Sequence, residues 1–374
     1  MEWRAFWGCS MAPNSGIPVG YAKNITLRYL LKAPYSGEGL RFSFTNRYGG
    51  EAVSLSAVTV GRYENGRLTD RPVEVTFCGN TSVTLAPGEE IVSDPAKLAV
   101  ERKGDYAVSI YLQELTRMSN AANCSGPLMR TFATEGNHAE DMVWPEKKVQ
   151  LWHNNYYFLE TAEMLTEEEN RSIVTFGDSI TAQSWPEWFV LRAMDEGEHT
   201  AVIRRGIGGG RILREYTDVT RSCYGESGLH RFAREISTAG ADTVLVLHGV
   251  NDIIHPDGGV ATPLSDLPTA EEMIEGLRYY IQTAHEMDKK IYLSPILPFG
   301  GYACPPERNE LRKAVNRWIM TQQESDGVLG FEKALQQPEN PDYLQSAYDC
   351  GDHLHPSLAG ARKMAQTVPS ELIW

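Results

Sequence analysis

An all-β domain over residues 1–165, followed by a parallel α/β domain over residues 166–374, is the architecture this sequence predicts. Three observations carry the prediction. Apolar residues in the first half alternate with period two between turn residues, the signature of short half-buried strands. After the acidic stretch Thr166-Glu167-Glu168-Glu169 the rhythm changes to strand, helix, strand. The 374 residues also exceed one average domain and suit two.

In the first half, Leu40, Phe42 and Phe44 alternate before Gly49-Gly50, and Val53, Leu55, Val58 and Val60 lead to Asn65-Gly66. Val73, Val75 and Phe77 follow, then Val83 and Leu85 before Pro87-Gly88. Tyr106, Val108, Ile110 and Leu112 make the cleanest strand. Such spacing, with turn chemistry between strands and no helical stripe, predicts an antiparallel sandwich. In the second half, strands are expected at Ser172–Phe176, Ala201–Arg205, Thr243–His248, Lys290–Pro295 and Val328–Phe331. Met273, Leu277, Tyr280, Ile281 and Ala284 share one helical face; Leu311, Ala314, Val315, Trp318 and Ile319 share another. Alternating strands and helices imply a three-layer α/β domain with a parallel sheet.

Composition narrows the function. With 42% hydrophobic residues the chain can bury sizeable cores, and its 35 basic against 49 acidic residues leave a net charge of −14. So acidic a surface repels phosphate backbones and anionic membranes, which argues against nucleic-acid and membrane partners and for a neutral small-molecule substrate. The six cysteines (Cys9, Cys78, Cys124, Cys223, Cys304, Cys350) are scattered and read as reduced thiols, not as a zinc site or disulfide framework. The opening MEWRAFWGCSMAP lacks a charged segment followed by an apolar one, and no apolar run reaches membrane-spanning length. A soluble cytoplasmic protein is therefore expected.

In a parallel α/β sheet, ligands collect at the carboxyl ends of the strands. Four short pieces fall there or near the C-terminus: Gly177-Asp178-Ser179, the glycine run Gly206-Ile207-Gly208-Gly209-Gly210, Gly249-Val250-Asn251-Asp252, and Asp352-His353-Leu354-His355-Pro356. Together they supply what acyl transfer needs. A serine hydroxyl becomes a good nucleophile when a histidine held by a carboxylate takes its proton. Asp352 and His355 are three residues apart, so one tight turn can set both on the same face, with His355 free to serve Ser179. A tetrahedral intermediate also needs donors aimed at its oxyanion, and a glycine-loop N–H, the Asn251 amide and the Ser179 N–H are candidates.

This ordered set resembles the SGNH (GDSL) hydrolase superfamily. The stretches "GVNDII", "ILPFGGY", "AVNRWI" and "YDCGDHLHPSLAGARKMA" are similar to a two-domain branch of it, and "RFSFTNRYGGEAVSLSAVTVG" and "IVSDPAKLAV" to that branch's N-terminal β-domain. The resemblance implies a flavodoxin-like hydrolase domain behind a jelly-roll-like sandwich. It further implies Ser179 as nucleophile, His355 and Asp352 as the rest of the triad, and Ser179, Gly209 and Asn251 as the oxyanion hole. No cofactor and no metal are implied. Arg204 and Arg205 stand where many relatives have an asparagine before the glycine, which leaves Gly208 and Gly209 as alternatives.

The remaining candidates surround this set. Trp185 and Trp188 could form a sugar-stacking wall or pack their helix against the sheet. His248 could shape the acyl pocket or plug a strand end. Asp178 is expected to bond nearby backbone, Asp349 and His353 are rivals of the last motif, and His255 is expected in solvent on a Gly249–Pro268 rim. The sequence thus reads as a serine carboxylic ester hydrolase that removes short acyl groups, chiefly acetyl, from carbohydrate. The alternatives are a lipase, phospholipase or thioesterase of the same type, or a carbohydrate-binding protein with an inactive hydrolase domain.

Overall fold

The computed structural model describes residues 1–14, 20–145, 155–258 and 262–373. It divides into two compact units, Met1–Arg171 with Glu198–Ala201, and Ser172–Gly197 with Val202–Trp374.

The first unit is antiparallel β structure, with no helix among its described residues. One sheet orders Glu2–Gly8, Leu159–Thr166, Gly37–Thr45 and Glu90–Val92, with Ala96–Val100 also on Gly37–Thr45. A second orders Thr131–Glu135, Ile25–Lys32, Asp105–Leu112, Ala57–Glu64 and Arg67–Leu68. Both feed one apolar cluster: Leu40, Phe42 and Phe44 from the first join Leu27, Tyr29, Val58, Val60, Val108 and Ile110 from the second. The alternation read from the sequence marks all of these inward residues except Leu27 and Tyr29. Ile25–Lys32 escaped that reading because seven of its eight residues are buried, so it shows no alternation.

The second unit is built on a five-stranded sheet in the order Thr200–Gly206, Arg171–Gly177, Ala241–Leu247, Lys290–Leu293, Gly327–Val328, whose first two strands begin on residues grouped with the first unit. Parallel ladders join the last four. Numbered along the chain this order is 2-1-3-4-5, which puts a switch point beside the first strand, where ligands collect in open α/β sheets. The expected strand Val328–Phe331 shrinks to Gly327–Val328, and Phe331 instead opens a helix, Phe331–Leu335.

The helix Ala270–Glu286 buries Met273, Leu277, Tyr280, Ile281 and Ala284, the face its periodicity predicted. The helix Glu307–Thr321 does not follow its apolar stripe. It buries Arg308, Arg312, Val315, Asn316 and Ile319, while Leu311, Ala314 and Trp318 are only half-buried. The reason is carbonyl groups that need donors. Arg308 donates to Ile253 O and Pro256 O at 2.8 and 3.0 Å, and Asn316 donates to Ile296 O at 2.9 Å. Unpaired buried carbonyls would cost more than a less apolar helix face. No helix among the described residues is long and apolar enough to cross a membrane.

Two glycines let the sheet approach the turn that follows its first strand. A methyl group on Gly177 would stand 2.0 Å from Leu247 O and 2.6 Å from Thr181 Oγ1; one on Gly206 would stand 2.3 Å from Ala182 N. Gly177→Ala should therefore lower stability by about 1–3 kcal/mol through overpacking. A urea midpoint equal to that of the wild type would show that the close approach does not matter.

Candidate active site

The first strand ends on Gly177, and Asp178 caps the short helix Ser179–Ala182 by accepting the Ile180 N–H at 3.0 Å. Ser179 is the first residue of that helix, so its own N–H belongs to the orphan donors of a helix start. Its hydroxyl is half-buried at the carboxyl end of the strand. Asp178 is thus a structural cap, as its place in the sequence suggested. Burial, only partly offset by the Ile180 N–H and the His355 ring, pushes its carboxyl up to about 7.

Ser179 Oγ lies 2.8 Å from His355 Nε2, across 176 residues of sequence. His355 Nδ1 lies 2.6 Å from Asp352 Oδ2, and the Asp352 Oδ1 accepts the N–H groups of Leu354 and His355 at 2.9 and 2.8 Å. Burial opposes the charge on Asp352, but these hydrogen bonds outweigh it and hold the carboxyl down to about 2. A carboxylate at Nδ1 keeps that nitrogen protonated, so Nε2 faces the serine hydroxyl as an acceptor. The rival pair is built separately: His353 Nδ1 lies 2.7 Å from Asp349 Oδ2, and its ring packs against Gly301. Asp349, Cys350 and Asp352 bring ligand-type atoms within 4.8 Å of one another, yet both carboxylates are committed to these histidines.

Opposite the histidine stands the glycine run. Ile207 to Gly210 form a turn closed by Gly210 N–H to Ile207 O at 3.0 Å, with Gly209 at φ +76°. A positive φ at the third position of such a turn calls for glycine. Gly208 faces Ser179, since a methyl group placed on it would lie 3.9 Å from Ser179 Cβ. Neither the Gly208 nor the Gly209 N–H has a hydrogen-bond partner among the described residues. Asn251, buried in the helix Val250–Ile254, donates from Nδ2 to Gly210 O at 2.9 Å and keeps its second amide proton uncommitted. Asp252 accepts the N–H groups of Ile212 and Leu213 at 2.7 and 3.1 Å and so clamps the far end of the same loop. Burial raises this carboxyl to about 6. The arrangement gathers a hydroxyl, an imidazole, a carboxylate and four free N–H or amide donors, which is the equipment of acyl transfer.

The other candidates are placed less as expected. Trp185 is 1% exposed against Phe331, so it offers no face to a sugar. Trp188 is half-buried with the Arg362 guanidinium 4.1 Å over its ring. Both pack their helix. His248 is buried, hydrogen-bonded through Nδ1 to Tyr280 Oη at 3.1 Å, and burial followed by the Arg231 charge depresses its pKa to about 3. It is a neutral plug under Gly210, not a pocket wall. Arg204 and Arg205 pair with the buried Glu187 and Glu235 at 3.2 and 3.4 Å. His255 is 7% exposed rather than in solvent. Of the Gly249–Pro268 rim, residues 259–261 lie outside the described residues.

Three side chains of consequence carry no motif. Arg231, fully buried, donates to Gly177 O at 2.6 Å and Arg205 O at 3.1 Å and so ties two strand ends together. Tyr216 donates to Gly209 O at 2.6 Å. The Tyr224 ring covers Gly209, where a methyl group would meet it at 2.3 Å. A signal existed for Asp252, which follows Asn251 directly; for the other three the sequence offered none.

Residues 175–363 match the GDSL-like lipase/acylhydrolase family, half of the chain, and the chain belongs to that family. It is accordingly a carboxylic ester hydrolase. Among solved structures, an acetyl xylan esterase from Geobacillus stearothermophilus is 19% identical, with a TM-score of 0.41, covering 53% of this chain and 92% of that one. A carbohydrate acetylesterase from Sinorhizobium meliloti is 14% identical, with a TM-score of 0.40, covering 54% and 98%. An aryl esterase from M. smegmatis is 14% identical, with a TM-score of 0.41, covering 54% and 98%. A search of curated sequences found no significant match.

The raised carboxyl of Asp178 has a readable sign. Its folded value of about 7 exceeds the unfolded value near 4, so the folded state binds the extra proton between them. Stability from this group is full below about pH 4 and is lost as pH rises through about 7. Asp178→Asn keeps the Oδ1 acceptor without the charge. Its stability relative to wild type should rise steadily from pH 4 to pH 7 in paired denaturation curves; a flat difference would refute the buried charge.

Proposed function

We propose that the chain is a serine esterase that works through an acyl-enzyme and removes short acyl groups, chiefly acetyl, from carbohydrate. The observation that carries the reading is the unbroken hydrogen-bond chain from Ser179 Oγ through His355 to Asp352, at 2.8 and 2.6 Å. His355 Nε2 takes the hydroxyl proton as Ser179 attacks the ester carbonyl, and Asp352 stabilises the imidazolium that results. The oxyanion is held by the N–H groups of Ser179 and Gly209 and by the second amide proton of Asn251. As the tetrahedral intermediate collapses, His355 returns the proton to the leaving alcohol, and Ser179 keeps the acyl group. Water, deprotonated by His355, then attacks the acyl-enzyme; the acid leaves and Ser179 regains its proton.

Two features favour a short acyl group on a sugar. The Tyr224 ring lies directly on Gly209 and takes up room that a long chain would need. That half-buried ring, over the glycine turn beside Ser179, offers an apolar face with a polar edge, which suits a sugar. Residues 1–165 we read as an accessory jelly-roll-like sandwich, supported by two antiparallel sheets that share one core. The remaining half, 166–374, is then the hydrolase domain.

Ser179→Ala should abolish release of p-nitrophenol from p-nitrophenyl acetate, a fall in kcat on the order of 10⁴-fold or more. Equal rates in the two proteins would return the chain to the binding-protein reading. Among p-nitrophenyl esters, kcat/KM should be highest for acetyl and fall steadily toward decanoyl. A preference for decanoyl would replace the carbohydrate reading with a lipase.

A further inference from the structure

The three successive glycines 208–210 form the least restrained backbone near the nucleophile, since glycine has the widest conformational freedom. An oxyanion donor in such a segment has to be held from outside. Two carbonyls provide the handles. Gly210 O accepts from Asn251 Nδ2 at 2.9 Å, and Gly209 O accepts from Tyr216 Oη at 2.6 Å.

Tyr216 has one hydroxyl proton, and a carbonyl can only accept, so that proton lies toward Gly209 O. The second neighbour of Tyr216 Oη is His255 Nδ1, at 2.5 Å. With the phenol's proton committed, His255 Nδ1 must be the donor, which fixes its tautomer. His255 is itself well seated. It stacks on Tyr224 at 5.7 Å and 24°, its N–H reaches Asn251 O at 3.3 Å, and its carbonyl accepts from Thr262 Oγ1 at 3.2 Å. Burial, then the charges of Arg211 and Arg221, hold the ring neutral at working pH.

Asn251 and His255 stand four residues apart, one helical turn. A single short segment therefore grips both glycine carbonyls, Gly210 directly and Gly209 through the tyrosine. The Gly209 carbonyl shares its peptide with the Gly210 N–H that closes the turn on Ile207 O, so holding it fixes the turn in which the N–H groups of Gly208 and Gly209 stay free for the substrate. We propose that Tyr216 and His255 are positioning residues that hold the glycine turn in its oxyanion-binding conformation. This rests on the acyl-enzyme reading above.

The test is the kinetics of p-nitrophenyl acetate hydrolysis by the full chain, alongside melting temperatures. Tyr216→Phe should lower kcat about tenfold, less than the 10²–10³-fold typical of deleting an oxyanion donor itself, and leave KM within about twofold. His255→Leu should do the same, and the pair together should be no worse than either alone, because they act through one contact. His255→Asn, whose side-chain amide can occupy the place of Nδ1, should restore most of kcat. It also keeps the test open if the leucine variant fails to fold. Serine-dependent activity with Tyr216→Phe at wild-type kcat would overturn this inference alone, as would an asparagine variant no better than leucine. Equal rates in wild type and Ser179→Ala would overturn the esterase reading and this one with it.

Discussion

One buried guanidinium sets the geometry of the reaction centre. Arg231 lies on the helix Gly228–Ile236, stacked 4.1 Å over the Phe176 ring, and donates to carbonyls at the ends of two adjacent strands, the last of one, Gly177 O, and the last but one of the other, Arg205 O. One strand delivers Ser179 and the other delivers the glycine turn. Gly177 O also takes the Ile207 N–H at 3.2 Å, so Arg231 adds a second, charged donor at a buried strand end. Charge-assisted hydrogen bonds contribute about 1.5–3 kcal/mol each when well made. Here they also convert two independent loop origins into a single rigid edge. The distances from Ser179 to its neighbours depend on that edge.

The rear of the centre is unusually charged for a protein interior. Arg204, Arg205, Arg211, Arg231, Asp178, Asp252, Glu187 and Glu235 are all buried there. Most are matched to a partner or to backbone: Arg211 to Asp266 at 2.9 Å, Asp252 to two N–H groups, Arg231 to two carbonyls. Buried pairs of this kind add little net stability, because desolvation offsets attraction. What they supply is direction. Hydrogen bonds hold loops in one arrangement where apolar packing would tolerate several.

Much of this was legible before the fold was seen. The strands Arg171–Gly177 and Ala241–Leu247 carry apolar runs with a glycine at or just beyond the end, Gly177 and Gly249, and the chemistry-bearing residues sit within a few positions of those ends. Asp352 and His355 were readable because their partnership is local, a matter of three residues. What stayed hidden was long-range. Tyr216 meets His255 across 39 residues, and no local pattern announces such a contact. The helix Glu307–Thr321 misled because periodicity records apolar faces only, and its inner face carries arginines that serve carbonyls. Trp185 misled for a related reason: position after a nucleophile says nothing of which way a ring turns, and this one turns to Phe331.

The loop from Asp349 to Pro356 carries two acid–histidine pairs side by side, Asp349 with His353 and Asp352 with His355. Each pair closes on itself through its own backbone contacts. His355 therefore arrives with Asp352 already attached, as a finished cassette, and among the described residues one hydrogen bond, Ser179 Oγ to His355 Nε2, joins it to the serine turn. Withdrawal of the loop by an ångström would break that hydrogen bond and leave the cassette intact. In the mechanism proposed above, activity hangs on a docking distance, while the chemistry of the docked part is set in advance by eight consecutive residues.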